Sequence, residues 1–119
     1  MILIGVTPPL PHPSHPARIA ALLDSGWHRV HVRYPEADEA TVERILRAVP
    51  ARLRRRLTLH SHFRLASAGL AGGIHLNRRW PSLPEGEAGM VSRSCHSIAE
   101  IEAAEAEGVY SYVTLSPLF

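Results

Sequence analysis

Short apolar runs alternate with stretches of helical periodicity along the whole chain. Residues 1–6, Met-Ile-Leu-Ile-Gly-Val, form an apolar run of strand length. They lack a basic leader and a small-residue cleavage site, so they read as a first strand and not as a signal peptide. Prolines at positions 8, 9, 11, 13 and 16 predict a loop over residues 8–16, because proline has no amide donor and restricts its predecessor. Residues 18–25 place Ile19, Leu22 and Leu23 at helical spacing, and Gly26 ends the helix. Residues 28–33, His-Arg-Val-His-Val-Arg, alternate as a strand does. Residues 36–49 predict a helix, with Asp38 as N-cap and Val42, Ile45, Leu46 and Val49 on one stripe.

A third strand is expected over 56–60, a short helix over 63–68 and a fourth strand over 74–76 after Gly72-Gly73. Pro81, Pro84, Gly86 and Gly89 make 77–89 a loop. A fifth strand follows over 90–94 and a helix over 97–107. That helix opens with a capping-box pattern, Ser97 with Glu100, and closes at Gly108. A sixth strand over 110–115 ends the reading.

Strand and helix alternating at this spacing predict parallel strands joined by right-handed crossovers. An open doubly wound sheet and part of an eight-fold barrel both fit. No GxGxxG or GxxxxGK[ST] follows a strand, so nucleotide-binding fingerprints give the open sheet no support. A complete barrel needs about 250 residues, and about 200 at the low end. The expected fold is therefore an incomplete TIM (β/α)8 barrel, a single domain over residues 1–119 with about six parallel strands and the C-terminal βα units missing.

Composition narrows the classes. Hydrophobic residues make up 45% and charged residues 20%, an ordinary globular balance. No apolar run approaches the roughly 18–20 residues that span a bilayer, so no membrane role is expected. The net charge of +2 is too small to argue for nucleic acid. The densest basic run, Arg52 with Arg54, Arg55 and Arg56, reads as a solvated helix end, and no aromatic residues interleave with it. The single cysteine, Cys95, excludes an internal disulfide framework and fits a reducing cytoplasm.

In parallel β/α folds the functional groups collect at the carboxyl ends of the strands. His31 and Arg33 end strand two on one face. His60, Ser61 and His62 end strand three, and alternation sends both rings to one side. His75 and Asn77 end strand four, Ser94 to Ser97 follow strand five, and Ser116 ends strand six. His12 and His15 lie in the loop after strand one. Histidine thus recurs at four successive strand ends, where imidazole serves as acid, base or ligand near neutral pH. No carboxylate nearby completes a ligand set, so no metal is assigned.

Several segments resemble the thiamine phosphate synthase/TenI family. The run Val91-Ser92-Arg93-Ser94-Cys95-His96-Ser97-Ile98-Ala99-Glu100-Ile101 is similar to its "GxSxHSxEEA", and residues 105–119 to its "AxxxGADYxxxxPxF". Gly72-Gly73-Ile74-His75-Leu76 is similar to "GADGVHL", and Val30-His31-Val32-Arg33 to "VQLR". The resemblance implies a β/α barrel and small-molecule thiamine precursors as ligands. The synthase joins an aminopyrimidine diphosphate to a thiazole phosphate and uses magnesium. The TenI branch is a thiazole tautomerase that moves a proton and needs no cofactor.

Arg33 matches the strand-two arginine that meets pyrophosphate, and a planar fork suits phosphate oxygens. Ser94 matches the serine at the end of strand five. The family's strand-two lysine is replaced by Pro35, and its strand-three asparagine–aspartate pair by His60-Ser61. The acidic position after strand four falls near Arg79-Trp80. With both magnesium carboxylates replaced, the resemblance tilts to the TenI chemistry. His96 matches the histidine of "RSVHS" as acid/base, and His31, Arg33, His60, His75, Ser94 and Ser116 are the expected substrate-binding set. Cys95 reads as a small buried filler.

The resemblance also implies phosphate held by glycine-rich loops after the last two strands, which lie beyond residue 119. The 119 residues alone are expected to be inactive, as a fragment or as one half of a strand-sharing or homo-oligomeric assembly. The alternatives are the synthase itself, a non-catalytic ligand-binding homologue and a histidine-rimmed metal hydrolase.

Overall fold

The computed structural model describes residues 1–116. The matched Pro117, Leu118 and Phe119 lie outside the described residues. Six strands, β1 (Ile4–Val6), β2 (Arg29–Val32), β3 (Leu57–Leu59), β4 (Gly73–Leu76), β5 (Met90–Cys95) and β6 (Tyr112–Leu115), form one sheet in sequence order. Every neighbouring pair is parallel. The sheet curls into a half-barrel, an incomplete α/β barrel of the expected kind. Helices α1 (His15–Asp24), α2 (Glu39–Ala48), the single turn α3 (Arg64–Ser67) and α4 (Ile98–Glu107) connect the strands. Among the described residues no helix is long and apolar enough to cross a membrane.

Alternation divides each strand between two environments. Val30, Val32, Leu57, Leu59, Ile74 and Leu76 face outward into a core with Ile19, Leu23, Val42, Ile45, Leu46 and Val49 of the helices and their ends. Their neighbours His31, Thr58, His75 and Ser92 turn to the inside of the curl and are nonetheless buried. Asp38 caps α2 by accepting from the Thr41 amide at 2.9 Å, the cap its sequence position predicts.

Most element boundaries move by one to three residues, and three departures from the sequence reading have a clear physical cause. Helix α1 begins at His15, inside the predicted loop, because Pro16 sits in the first turn, where a missing amide costs nothing. Helix α2 begins at Glu39, after the Asp38 cap, and not at residue 36. The basic run is a helix end, as expected, closing the short 3-10 helix Ala51–Arg56 before β3, but it is not simply solvated: Arg54 and Arg56 satisfy carbonyls at and just beyond the ends of two other helices. Arg54 donates to the carbonyls of Leu46 and Val49, each at 3.1 Å, and of Arg47 at 2.8 Å. Arg56 donates to the carbonyls of Leu23 and His28, each at 3.1 Å, and to that of Trp27.

Candidate functional site

The carboxyl ends of the strands open onto a cavity of about 670 Å³. His31, Arg33, His60, His75, Ser94, His96 and Ser116 all line it, so parallel register brings together residues from five strand ends. His31 and Arg33 share the inner face of β2, as their spacing predicts. His62 does not join them. Its φ of 50° breaks the alternation after β3, and its Nε2 bonds instead with the Ala37 carbonyl oxygen at 2.9 Å. Trp80 packs on that ring and on Phe63, with centroids 5.0 and 5.4 Å away. His15 also lies away from the site, in α1, 2.7 Å from the Tyr34 hydroxyl.

Three imidazoles form the floor. His31 Nδ1 lies 2.7 Å from His60 Nε2, and His31 Nε2 lies 2.5 Å from the Tyr112 hydroxyl. His75 bonds with Ser92 Oγ through Nδ1 and with Ser94 Oγ through Nε2, each at 2.7 Å. His60 stacks on His75 at a centroid distance of 4.3 Å. Burial disfavours the charged form and holds His31 and His75 down to about 4, with His60 lower still. The neighbouring rings add to the shift at His31 and His60. All three are therefore neutral at physiological pH, each with one nitrogen lone pair.

Asn77 ties the floor to the wall. Its amide nitrogen donates to the carbonyls of His60 and His75, each at 2.9 Å, and its oxygen accepts from the amides of Arg79 and Trp80 at 3.1 and 3.2 Å. Arg78, Arg79 and Arg33 make that side of the cavity basic. Among the described residues no carboxylate lines it.

His96 stands at the opposite side, more exposed than the floor. Ser97 caps α4 by accepting from the Glu100 amide at 3.1 Å. The reciprocal half of the expected capping box is redirected, because the Glu100 carboxylate accepts from the amide of His96 and not from that of Ser97. The same carboxylate lies 3.3 Å from His96 Nδ1. Cys95 next to it is fully buried, and burial pushes its thiol up, away from reactivity.

Sequence reasoning missed Tyr112 and Ser92. Both were within reach of the alternation rule, since Tyr112 shares a face with Thr114 and Ser116, and Ser92 with Ser94. Arg29, also on the inner face of β2, was missed as well. It donates to Thr58 Oγ1 at 2.9 Å below the floor.

A family model described as thiamine monophosphate synthase matches residues 3–119. Thiamine phosphate pyrophosphorylase from Bacteroides thetaiotaomicron is similar in structure, with a TM-score of 0.89 and 40% sequence identity. The likeness covers 99% of this chain and 59% of that one, so this chain spans less than two thirds of its neighbour's length. A search of curated proteins gave no significant match.

Proposed function

Since the chain belongs to the thiamine monophosphate synthase family, we propose that the full-length protein acts on a phosphorylated thiazole precursor of thiamine as a tautomerase, with His96 as its acid/base. The observation that supports this reading best is the donor set of the cavity: imidazoles, arginines and hydroxyls, with no carboxylate among the described residues. A magnesium ion wants hard oxygen ligands, and these residues do not fit one. Moving a proton at a ring carbon needs none.

In this reading Arg33 holds the substrate's anionic group through its planar fork, and the arginines beside it add to the field. Glu100 orients the His96 ring through Nδ1, which leaves Nε2 to exchange protons. His96 takes a proton from the ring carbon, the double bonds shift, and a proton returns at the other end of the shifted system. Substrate and product then have the same atoms. Ser94 and Ser116 offer hydroxyls to the polar substituents. The test is His96→Ala in the full-length protein, assayed with thiazole carboxylate phosphate. Turnover should fall by about 10²–10⁴ while the circular dichroism spectrum stays the same. Unchanged turnover would remove the reading.

One observation favours a second reading, coupling of an aminopyrimidine diphosphate to the thiazole phosphate. The structural neighbour at 40% identity carries the pyrophosphorylase name. Pyrophosphate release that requires both substrates and added magnesium would select it over the tautomerase. Either reading needs further βα units to cover the open edges of β1 and β6. If a second copy supplies them, sedimentation will show a dimer that dissociates on dilution.

A further inference from the structure

We propose that His31, His60 and His75 form a three-imidazole site for a borderline-soft divalent transition metal of the zinc class, built into the floor of the cavity. One ring nitrogen from each residue lies within 4.8 Å of the others. His31 Nδ1 and His60 Nε2 already face each other at 2.7 Å, aimed at a shared proton that a cation would replace. Zinc takes imidazole nitrogens at about 2.0–2.1 Å, which places tetrahedral ligands roughly 3.4 Å apart. The trio, now spread over up to 4.8 Å, closes to that spacing on binding.

The partners of the non-ligating nitrogens carry the inference further. Metal-bound histidines characteristically keep the second nitrogen hydrogen-bonded, which fixes tautomer and ring orientation. Here the Tyr112 hydroxyl holds His31 Nε2. Ser92 and Ser94 hold the two nitrogens of His75, so either can ligate while the other stays anchored. Barrel interiors are ordinarily filled by branched apolar side chains. Burying three imidazoles together there is costly unless they are paired or share a ligand. All three rings line the open cavity, so solvent has access to a fourth position on a bound ion. The nitrogen-only set selects zinc, cobalt, nickel or copper and discriminates against magnesium and calcium. The inference is independent of the tautomerase reading, since it concerns binding and not turnover.

The test is a titration of the metal-free full-length protein with Co²⁺, followed by its visible ligand-field bands. One Co²⁺ per chain, displaced by one equivalent of Zn²⁺, is expected. His60→Gln and His75→Gln should each weaken binding by more than about 100-fold, as loss of a ligand exceeds the loss of an outer-shell partner. His62→Gln, outside the trio, should bind as the parent does. Absent or substoichiometric binding by the parent, or parent-like binding by His60→Gln, would overturn the proposal. If the floor variants fail the circular dichroism check for folding, zinc-edge X-ray absorption of the parent decides instead. Two or more imidazoles in the shell support the site, and fewer overturn it.

Discussion

Gly72→Ala is the sharpest test of how the strands deliver the floor histidines. A Cβ at this position would lie 1.9 Å from the Arg55 carbonyl oxygen and 2.5 Å from its carbon, both backbone atoms. Ordinary contact begins at 3.4 Å, so the two segments would have to part by roughly 1.5 Å. Gly72 cannot yield freely. Its amide donates to the Leu57 carbonyl at 2.9 Å, and its carbonyl accepts from the Met90 amide at 3.0 Å. It thus joins β3 to β5 at the entry to β4. Losing two backbone hydrogen bonds at about 1 kcal/mol each, plus about 1–3 kcal/mol of overpacking, gives about 3–5 kcal/mol of destabilisation.

Gly69→Ala is the matched control. Its φ is +84° with nothing within 4 Å of the added carbon, so torsional strain alone costs about 1 kcal/mol. Urea unfolding followed by the fluorescence of Trp27 and Trp80 measures both. A Gly72→Ala midpoint close to the parent's, or no larger a loss than that of Gly69→Ala, would refute the contact argument and with it the tight β3–β4 register that sets His60 against His75.

Other tests follow from the same geometry. In metal-free protein His31 and His75 are held at about 4 in the fold against an ordinary value of about 6.5 in the unfolded chain, so the unfolded chain binds more protons between those values. Their contribution to stability is therefore full above about pH 7.5 and is lost as the pH falls through about 6.5 toward about 4. These two rings and His60, held lower still, together lose about 4 kcal/mol between about pH 7.5 and about pH 5.5, which urea melts at the two pH values will check. Tyr112→Phe leaves buried His31 Nε2 without its partner and should cost about 1–3 kcal/mol, with the histidine NMR signals of the floor shifting. Arg56→Ala strips three carbonyls of their donor and should lower the thermal midpoint by the equivalent of about 1–3 kcal/mol. Arg52→Ala, which removes only an exposed pair with Asp24, should leave that midpoint unchanged.

Much of this architecture follows from the chain's own pattern. Alternating apolar positions in β2 to β4 and the stripe Val42, Ile45, Leu46 and Val49 give parallel strands backed by helices, because one face must leave water whatever the partner. Strand-end residues His31, Arg33, His75, Ser94 and His96 were legible as a group, since parallel strands put their carboxyl ends on one side. Local rules failed where distant segments meet. No local signal shows that Arg54 and Arg56 close helix ends, because the carbonyls they satisfy belong to other elements. The left-handed turn at His62, which divides two rings that alternation pairs, is held by a bond to Ala37 across 25 residues.

By itself, then, the order of residues determined the strand–helix alternation, the faces of the strands and the family the chain resembles, all of which depend on short-range periodicity and motif. Only the tertiary structure decided that His31 meets both His60 and Tyr112. Those contacts depend on the register and curl of the sheet. Pairing energies between strands fix these, and the periodicity of any one strand does not encode them.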